Sequence, residues 1–134
     1  MVNASNGVIY LHSEVTIADI RDGTSNTYLL GEKHLNPDHY ETGDARDDNH
    51  AAYQGADVDV NRWAGVSGGL DRVPVRDRGA GLDARQQFGS AHAAVWQAAL
   101  CDGSVRALIY SIDPAIHARL AQRNDHQPID GSAF

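Results

Sequence analysis

The sequence predicts an α+β fold, with a small antiparallel sheet, a C-terminal helix and a long irregular central loop. Two short apolar runs flank the pair Asp102-Gly103, which is typical of a β-hairpin. Residues 113–124 start with Asp-Pro and carry an apolar stripe, as a capped helix does. Between residues 36 and 88 the chain is rich in Gly, Asp and Arg and has little periodicity, which indicates a loop-rich insertion.

Length, charge and cysteine content limit the classes of protein. The 134 residues fit one globular domain, 1–134, and 42% of them are hydrophobic. A formal net charge of −7 argues against binding to nucleic acid or to an anionic membrane surface. No signal sequence and no apolar run of membrane-spanning length is evident, so we expect a soluble chain without membrane insertion. The single cysteine, Cys101, excludes an intrachain disulfide, and no sequence feature near it favours a reactive thiolate.

The chemistry of its turn predicts the register of the hairpin. Strands are expected at 95–100 and 105–112, and Asp102-Gly103 suits the two central positions of a type I′ turn. With a two-residue loop the opposing pairs are Cys101–Ser104, Leu100–Val105, Ala98–Ala107 and Trp96–Ile109. The last three pairs share an apolar face, which has to be covered by the helix or by another chain.

Two further strands are predicted before the central loop. Residues 6–20 follow a turn pair with a β-rich run, and residues 27–35 alternate so that Glu32 and His34 share a face. In the C-terminal helix, Asp113 is the expected N-cap and Asn124 the residue that could close it.

Carboxylates alternate within the central loop, in GDARDDNH (43–50) and in ADVDVN (56–61). Asp57, Asp59 and Asn61 stand at i, i+2 and i+4, as at the start of a calcium-binding loop. The glycine and the closing glutamate of an EF-hand are missing, so a solvated loop is the alternative. Ca²⁺ is therefore the expected cofactor if a metal ion binds, and Zn²⁺ is less favoured. The aromatic residues expected to anchor this loop to the core are Tyr40, Tyr53 and Trp63.

Three motifs, DGTSNT–LLGEK, GSAH and CDGSVR, occur in an order and spacing that is specific when they are taken together. From about residue 6 to 130 the chain closely resembles the prepilin-like proteins of planctomycetes and related bacteria, named for their His, nine-residue, Asp-Gly motif. The resemblance implies a pilin-like globular domain of the cell envelope or extracellular space, which in the family follows a long apolar helix and assembles into a filament. That helix is not part of this sequence, and Ala93-Ala94-Val95 replaces the usual glycines.

His92, in the GSAH motif, is the leading candidate for chemistry, because a near-neutral pKa suits a metal ligand or a general base. If strand 27–35 lies beside it, Glu32 and His34 would complete a mixed histidine and carboxylate metal site. The alternative is that both residues are structural. His92 would then hydrogen-bond to the backbone, and Glu32 would pair with an arginine or with backbone amides. The candidate catalytic residues are thus His92, Glu32 and Ser90, and the candidate metal ligands are Asp57, Asp59, Asn61, His34, His92 and Asp102.

Two functions of different classes follow. The first is a prepilin-like module for assembly or surface interaction, which binds Ca²⁺ and forms a homodimer or a pilin-like assembly. The second is a small hydrolase of esters or lactones that uses Ca²⁺ or Zn²⁺, since the Ser90–His92 spacing is unsuited to a serine triad. A carbohydrate or peptide binder that uses Trp63 is a third interpretation.

Overall fold

A computed structural model describes residues 6–51, 53, 55, 57–67, 70–79 and 84–134. The strands are β1 (Tyr28–Gly31), β2 (Gly65–Ser67), β3 (Leu70–Arg72), β4 (Val75–Arg76), β5 (Gly89–Ser90), β6 (Val95–Leu100) and β7 (Val105–Ile109), followed by helix α1 (Pro114–Leu120). Short 3-10 helices lie at Ile17–Asp19, Thr24–Asn26 and Pro37–His39. The main sheet is antiparallel in the order β1-β6-β7, while β2 pairs with β3 and β4 pairs in parallel with β5. The α+β class predicted from the sequence is confirmed.

The hairpin of β6 and β7 is present, but its register differs by one residue from the prediction. The opposing pairs are Val95–Ile109, Trp96–Leu108, Gln97–Ala107, Ala98–Arg106 and Ala99–Val105. The amide of Gly103 donates to the carbonyl of Leu100 (3.0 Å), and Gly103 has a φ of 85° while Asp102 stays outside the left-handed region. This arrangement is typical of a three-residue loop that ends in a left-handed glycine, and the predicted type I′ turn is wrong.

The shift of one residue exchanges the two faces of β7, because side chains alternate along a strand. Leu108 is buried, whereas Val105 and Ile109 are 65% and 57% exposed. The prediction that Val105, Ala107 and Ile109 face the core is therefore wrong. They lie on the side of the sheet away from the core, which we call the outer face and which comprises Leu30, Val95, Gln97, Ala99, Val105, Ala107 and Ile109.

Strand β1 is shorter than predicted and contains a bulge. Tyr28 opposes Leu100 but Leu30 opposes Ala99, so one extra residue interrupts the alternation expected over 27–35. After the bulge Gly31 faces the core, where an added Cβ would lie 2.8 Å from ring atoms of Phe88 and Trp96. A glycine is needed here because two aromatic rings occupy the space of its side chain.

Residues 6–20 form turns and a 3-10 helix, so the strand predicted there is wrong. Their hydrogen bonds are either local or directed at the segment after α1, where the amide of Arg123 donates to the carbonyl of Asn6 (2.9 Å). Ile9, Leu11 and Ile17 are 52%, 67% and 77% exposed. The run has β propensity, but it lies against the segment after α1 and not along the edge of a sheet. A strand forms only where a neighbouring strand supplies hydrogen bonds.

Helix α1 begins where it is predicted to begin and ends earlier than residue 124. Asp113 caps it, because its Oδ1 accepts hydrogen bonds from the amides of Ala115 (2.8 Å) and Ile116 (3.1 Å). The C-cap is Ala121 and not Asn124. No helix in the described part of the chain has the length and apolar character that crossing a bilayer requires.

The core lies between α1 and the inward face of the sheet. Its centre is a cluster of four rings, from Tyr28, Phe88, Trp96 and His117, whose centroids are 5.2–5.8 Å apart. Leu100 and Leu120 are fully buried next to it. The helix therefore covers the face that carries Trp96, and the outer face stays open.

The central region contains the predicted irregular chain together with β2, β3 and β4. The predicted aromatic anchoring is wrong, since Tyr53 is fully exposed and Tyr40 and Trp63 are about half exposed. Tyr40 is held instead through its hydroxyl, which donates to Asp77. The charged side chain of Lys33 attaches this region to the rest of the fold, and that of Arg62 joins two of its segments.

Candidate functional site

The segment that carries Ser90 and His92 is held against β1 by strand β5. The amide of Gly89 donates to the carbonyl of Glu32 (3.0 Å), and the amide of Asp77 donates to the carbonyl of Ser90 (2.9 Å). A Cβ on Gly89 would clash with the carbonyl oxygen of Val75. The glycine of the GSAH motif thus allows a close approach to the backbone of Val75 in β4, while its own amide holds the segment that carries His92 next to Glu32.

His92 and Glu32 form a surface pair, with His92 Nε2 3.4 Å from Glu32 Oε1. Their side chains are 55% and 35% exposed. The other oxygen of Glu32, Oε2, accepts a hydrogen bond from the amide of Gln97 (2.7 Å). Glu32 therefore contacts both a side chain, that of His92, and a backbone amide, that of Gln97, as a residue with a structural role does. The His92–Glu32 pair is also accessible to a ligand.

Ser90 is adjacent to His92 but is not presented to its imidazole. Ser90 is 5% exposed, and its Oγ accepts a hydrogen bond from the backbone amide of His92 (3.3 Å). The hydroxyl of Tyr110 donates to the carbonyls of Ser90 (3.1 Å) and His92 (2.8 Å). These contacts fix the shape of the segment, whereas a serine nucleophile requires a contact between its hydroxyl and the imidazole.

His34 is buried away from that pair. It is 2% exposed, and neither ring nitrogen has a hydrogen-bond partner among the described residues. Burial lowers the pKa of His34, which the nearby carboxylates of Asp77 and Asp47 only partly oppose. Among the described residues, Glu32, His34 and His92 do not form a three-ligand group.

Asp102 lies at the far end of β6 from His92. Its Oδ1 accepts hydrogen bonds from the amide (2.8 Å) and the hydroxyl (2.7 Å) of Ser104, and these bonds lower the pKa of Asp102. A strand of six residues places about 17 Å between the two ends. The structure does not bring Asp102 to His92; the aspartate stabilises the hairpin loop.

The carboxylates of the central loop are organised around Lys33, just after β1. Its Nζ donates to the carbonyls of Asp47 (3.1 Å) and Asp59 (2.8 Å) and to Oδ1 of Asp48 (2.6 Å). One lysine therefore ties together two stretches of loop that are about ten residues apart in sequence. This explains how an irregular region takes a defined position on the sheet.

A buried ion pair supports the same region. Arg62 Nη2 lies 3.6 Å from Asp47 Oδ2, and the two side chains are 2% and 5% exposed. Arg62 also donates to the carbonyls of Val58 and Asn61. Burial lowers the pKa of Arg62, and the charge of Asp47 opposes this effect.

Next to this framework, His50, Asp57 and Asp59 form a group of three potential metal ligands. One ligand atom from each lies within 4.8 Å of the others. His50 Nδ1 is 3.6 Å from Asp57 Oδ2 and 3.7 Å from Asp59 Oδ2. Sequence reasoning named the two aspartates but missed His50, although it ends the carboxylate-rich segment 43–50.

Asn61, the third residue of the predicted calcium ligand set, has a different contact. Its amide donates to the carbonyl of Asp57 (2.8 Å) and closes the turn that carries the two aspartates. The structure thus joins Asp57 and Asp59 through a histidine from another segment. Ala56, the first residue of the segment 56–61, lies outside the described residues.

A cavity of about 340 Å³ lies elsewhere, near the end of the chain's N-terminal turns. Its lining residues are Tyr10, Glu14, Val15, Asp19, Arg21, Arg123 and Asn124. None of the candidate catalytic residues or metal ligands is among them.

The comparisons with known proteins give a family but no function. The model of a family described as "Protein of unknown function (DUF1559)" matches residues 2–115, which include every strand and both groups of candidate residues. Neither the curated proteins nor the solved structures contain a match to the chain. The chain therefore belongs to the DUF1559 family, whose function is unknown.

Proposed function

We propose that this chain is a pseudopilin-like assembly module and that two copies associate through the outer face of the main sheet. The observation that carries the proposal is the exposure of apolar side chains on that face. Leu30, Val105 and Ile109 are 58%, 65% and 57% exposed. A contiguous apolar sheet face marks an interaction surface, because single exposed apolar residues are common but a continuous set of them is not.

The seven residues of the outer face include no charged side chain, and the one carboxylate at its margin, that of Glu32 beside Gln97, is paired with His92, although the chain has a formal net charge of −7. Two copies repel each other at long range, so a face with few carboxylates is where they meet with least repulsion. Because a two-fold contact uses the same patch on both partners, an apolar patch is matched by its own copy. Among the described residues strand β7 has a strand neighbour on one side only, so its other edge offers hydrogen-bonding groups at the border of this surface.

The test is the oligomeric state of the protein over a range of concentrations. Sedimentation velocity should show a dimer whose fraction rises with concentration. The double variant V105K/I109K should be monomeric and keep its circular dichroism spectrum, because both side chains are already exposed. A control variant, Ile17→Lys, alters an apolar residue that is 77% exposed on a 3-10 helix and should leave the dimer intact. A wild-type chain that is monomeric at every concentration contradicts the proposal, as does a dimer that survives V105K/I109K.

The proposal includes a divalent cation in the central loop as a structural element. It is supported by the convergence of Asp57 and Asp59, which the sequence assigned to Ca²⁺, on the side chain of His50. A cation at this point would add to the contacts that already join the two segments, which are those of Lys33 and Arg62 and the hydrogen bond from the amide of His50 to Asp59. Loops of this length gain stability from such a closure, because it restricts the unfolded chain.

Hydrolysis of esters or lactones by a bound metal ion is a second candidate function. It is favoured by the accessible His92–Glu32 pair, which could activate a water molecule as a general base. The assay is hydrolysis of a chromogenic ester with and without chelator, on the wild type and on His92→Ala and Glu32→Ala. Activity that depends on the metal and on both residues would replace the assembly proposal as the main function. Activity that is insensitive to chelator, or that survives both substitutions, excludes this mechanism.

A further inference from the structure

We infer that His50, Asp57 and Asp59 form a binding site for a transition-metal ion of the zinc class, and that they select it over calcium. This inference rests on the cation binding that belongs to the proposed function, and it identifies the chemical class of the ion. The three ligands come from two segments of the central loop, so the ion would link residue 50 to the turn at 57–61.

The separations of the ligand atoms suit a small ion. His50 Nδ1 is 3.6 Å from Asp57 Oδ2 and 3.7 Å from Asp59 Oδ2. Around a tetrahedral zinc ion, with bonds of about 2.1 Å, neighbouring ligand atoms are about 3.4 Å apart. These two separations exceed the tetrahedral value by only a few tenths of an ångström, and the ligand atoms of the two aspartates lie within 4.8 Å of each other. The fourth position would be open to water or to a ligand from a partner.

Asp59 provides an independent indication of a ligand. The residue is 2% exposed, and its Oδ1 has no hydrogen-bond partner in the described part of the chain, although Oδ2 accepts from the amide of His50 (2.5 Å). A buried carboxylate oxygen without a partner is costly, so such atoms usually bind a donor or a cation. The other oxygen of this carboxylate, Oδ2, is the one that lies near His50 Nδ1, so a metal ion bound by both oxygens of Asp59 would also satisfy Oδ1.

The charge of the surrounding network fits a divalent cation. Four carboxylates, those of Asp47, Asp48, Asp57 and Asp59, are joined by the contacts of this region to two cationic side chains, Lys33 and Arg62. The four negative and two positive charges leave a balance of −2. An ion of charge +2 therefore neutralises the network, and neutral imidazole is also the form that binds a metal.

The donor atoms decide the class of ion. Calcium takes six to eight oxygen ligands, whereas zinc binds imidazole nitrogen and carboxylate oxygen in sites with few protein ligands. One nitrogen and two carboxylates therefore favour zinc and its neighbours in the first transition series. The histidine, which the sequence pattern of alternating carboxylates does not include, reverses the preference for calcium expected from Asp57, Asp59 and Asn61.

The experiment is isothermal titration calorimetry of the whole chain with Zn²⁺, and separately with Ca²⁺, at neutral pH in a non-chelating buffer. We expect one zinc ion per chain. Affinity should fall at least about tenfold in His50→Gln and in Asp57→Asn, because each removes a ligand. A matched control, His39→Gln, changes a partly exposed histidine outside the group and should leave the affinity unchanged. Co²⁺ gives a second readout, since imidazole coordination produces visible absorption bands that should weaken in His50→Gln.

The hydrogen bond that joins the two segments is preserved in these variants, since the amide of residue 50 still donates to Asp59. Thermal unfolding should confirm that each variant folds, and zinc at 100 times its Kd should raise Tm of the wild type by about 5–10 °C. Binding of Ca²⁺ without Zn²⁺, or zinc affinity unchanged in His50→Gln, overturns the inference but leaves cation binding in place. If neither ion binds, the cation part of the proposed function fails as well.

Discussion

The ring cluster of the core contains a histidine that should make the fold sensitive to acid. His117 is fully buried against Tyr28, Phe88 and Trp96, and burial lowers its pKa to about 4. In the unfolded chain the pKa of a histidine is about 6.5. As the pH falls below that value, the unfolded state binds a proton that the folded state does not bind. The stability of the fold is therefore unaffected by the titration of His117 above about pH 6.5. Below that value the free energy of unfolding decreases as the pH falls towards 4.

The size of this effect follows from the two pKa values. A difference of about 2.5 units corresponds to a limit of about 3.4 kcal/mol, of which about 2 kcal/mol should be lost between pH 7.5 and pH 5.0. The perturbation is His117→Gln, which removes the titration but keeps an acceptor for the hydroxyl of Tyr28, now 3.2 Å from His117 Nδ1. Urea denaturation at both pH values measures the free energy of unfolding of each protein.

The comparison isolates His117, because the other titrating groups are common to both proteins. The wild type should lose about 2 kcal/mol more than His117→Gln between the two pH values. If the two proteins lose the same free energy of unfolding, the buried imidazole is not neutral in the way the geometry implies, and the reasoning is refuted.

Two further predictions concern positions where the backbone and the core meet. Gly31→Ala should destabilise the fold by about 1–3 kcal/mol, because the added Cβ would overlap the rings of Phe88 and Trp96. Chemical denaturation measures this loss, and an unchanged midpoint would show that the two rings move aside without cost. Asp113→Ala should cost about 1 kcal/mol by removal of the N-cap of α1, whereas Asp113→Asn should cost much less; equal losses in the two variants would contradict a capping role.

The hairpin shows how far local sequence signals reach. The pair Asp102-Gly103 predicted the reversal, and the strands are where the apolar runs placed them. The same pair is compatible with two loop lengths, since the glycine takes positive φ in both. The segment 105–112 has apolar residues at adjacent positions, so alternation could not select the register. Packing of Trp96 and Leu108 beneath α1 decided it.

The candidate site shows the same division. The proximity of Glu32 to His92 was expected on the condition that β1 lies near the start of β6, and the observed sheet order meets that condition. The group at His50 could not be found in this way. Its ligands lie in an irregular region without periodicity, and their positions depend on contacts with Lys33 and Arg62 that no local pattern encodes.

What the sequence by itself determined are the features that short-range chemistry controls: the α+β class, the position of the hairpin, and the Asp113-Pro114 start of α1. Each depends on backbone preferences or on hydrogen bonds between residues a few positions apart. Only the tertiary structure decided the register of β7, the open outer face and the grouping of His50 with two aspartates. These features depend on which distant segments share buried space and neutralise each other's charges, and a linear pattern does not contain that information.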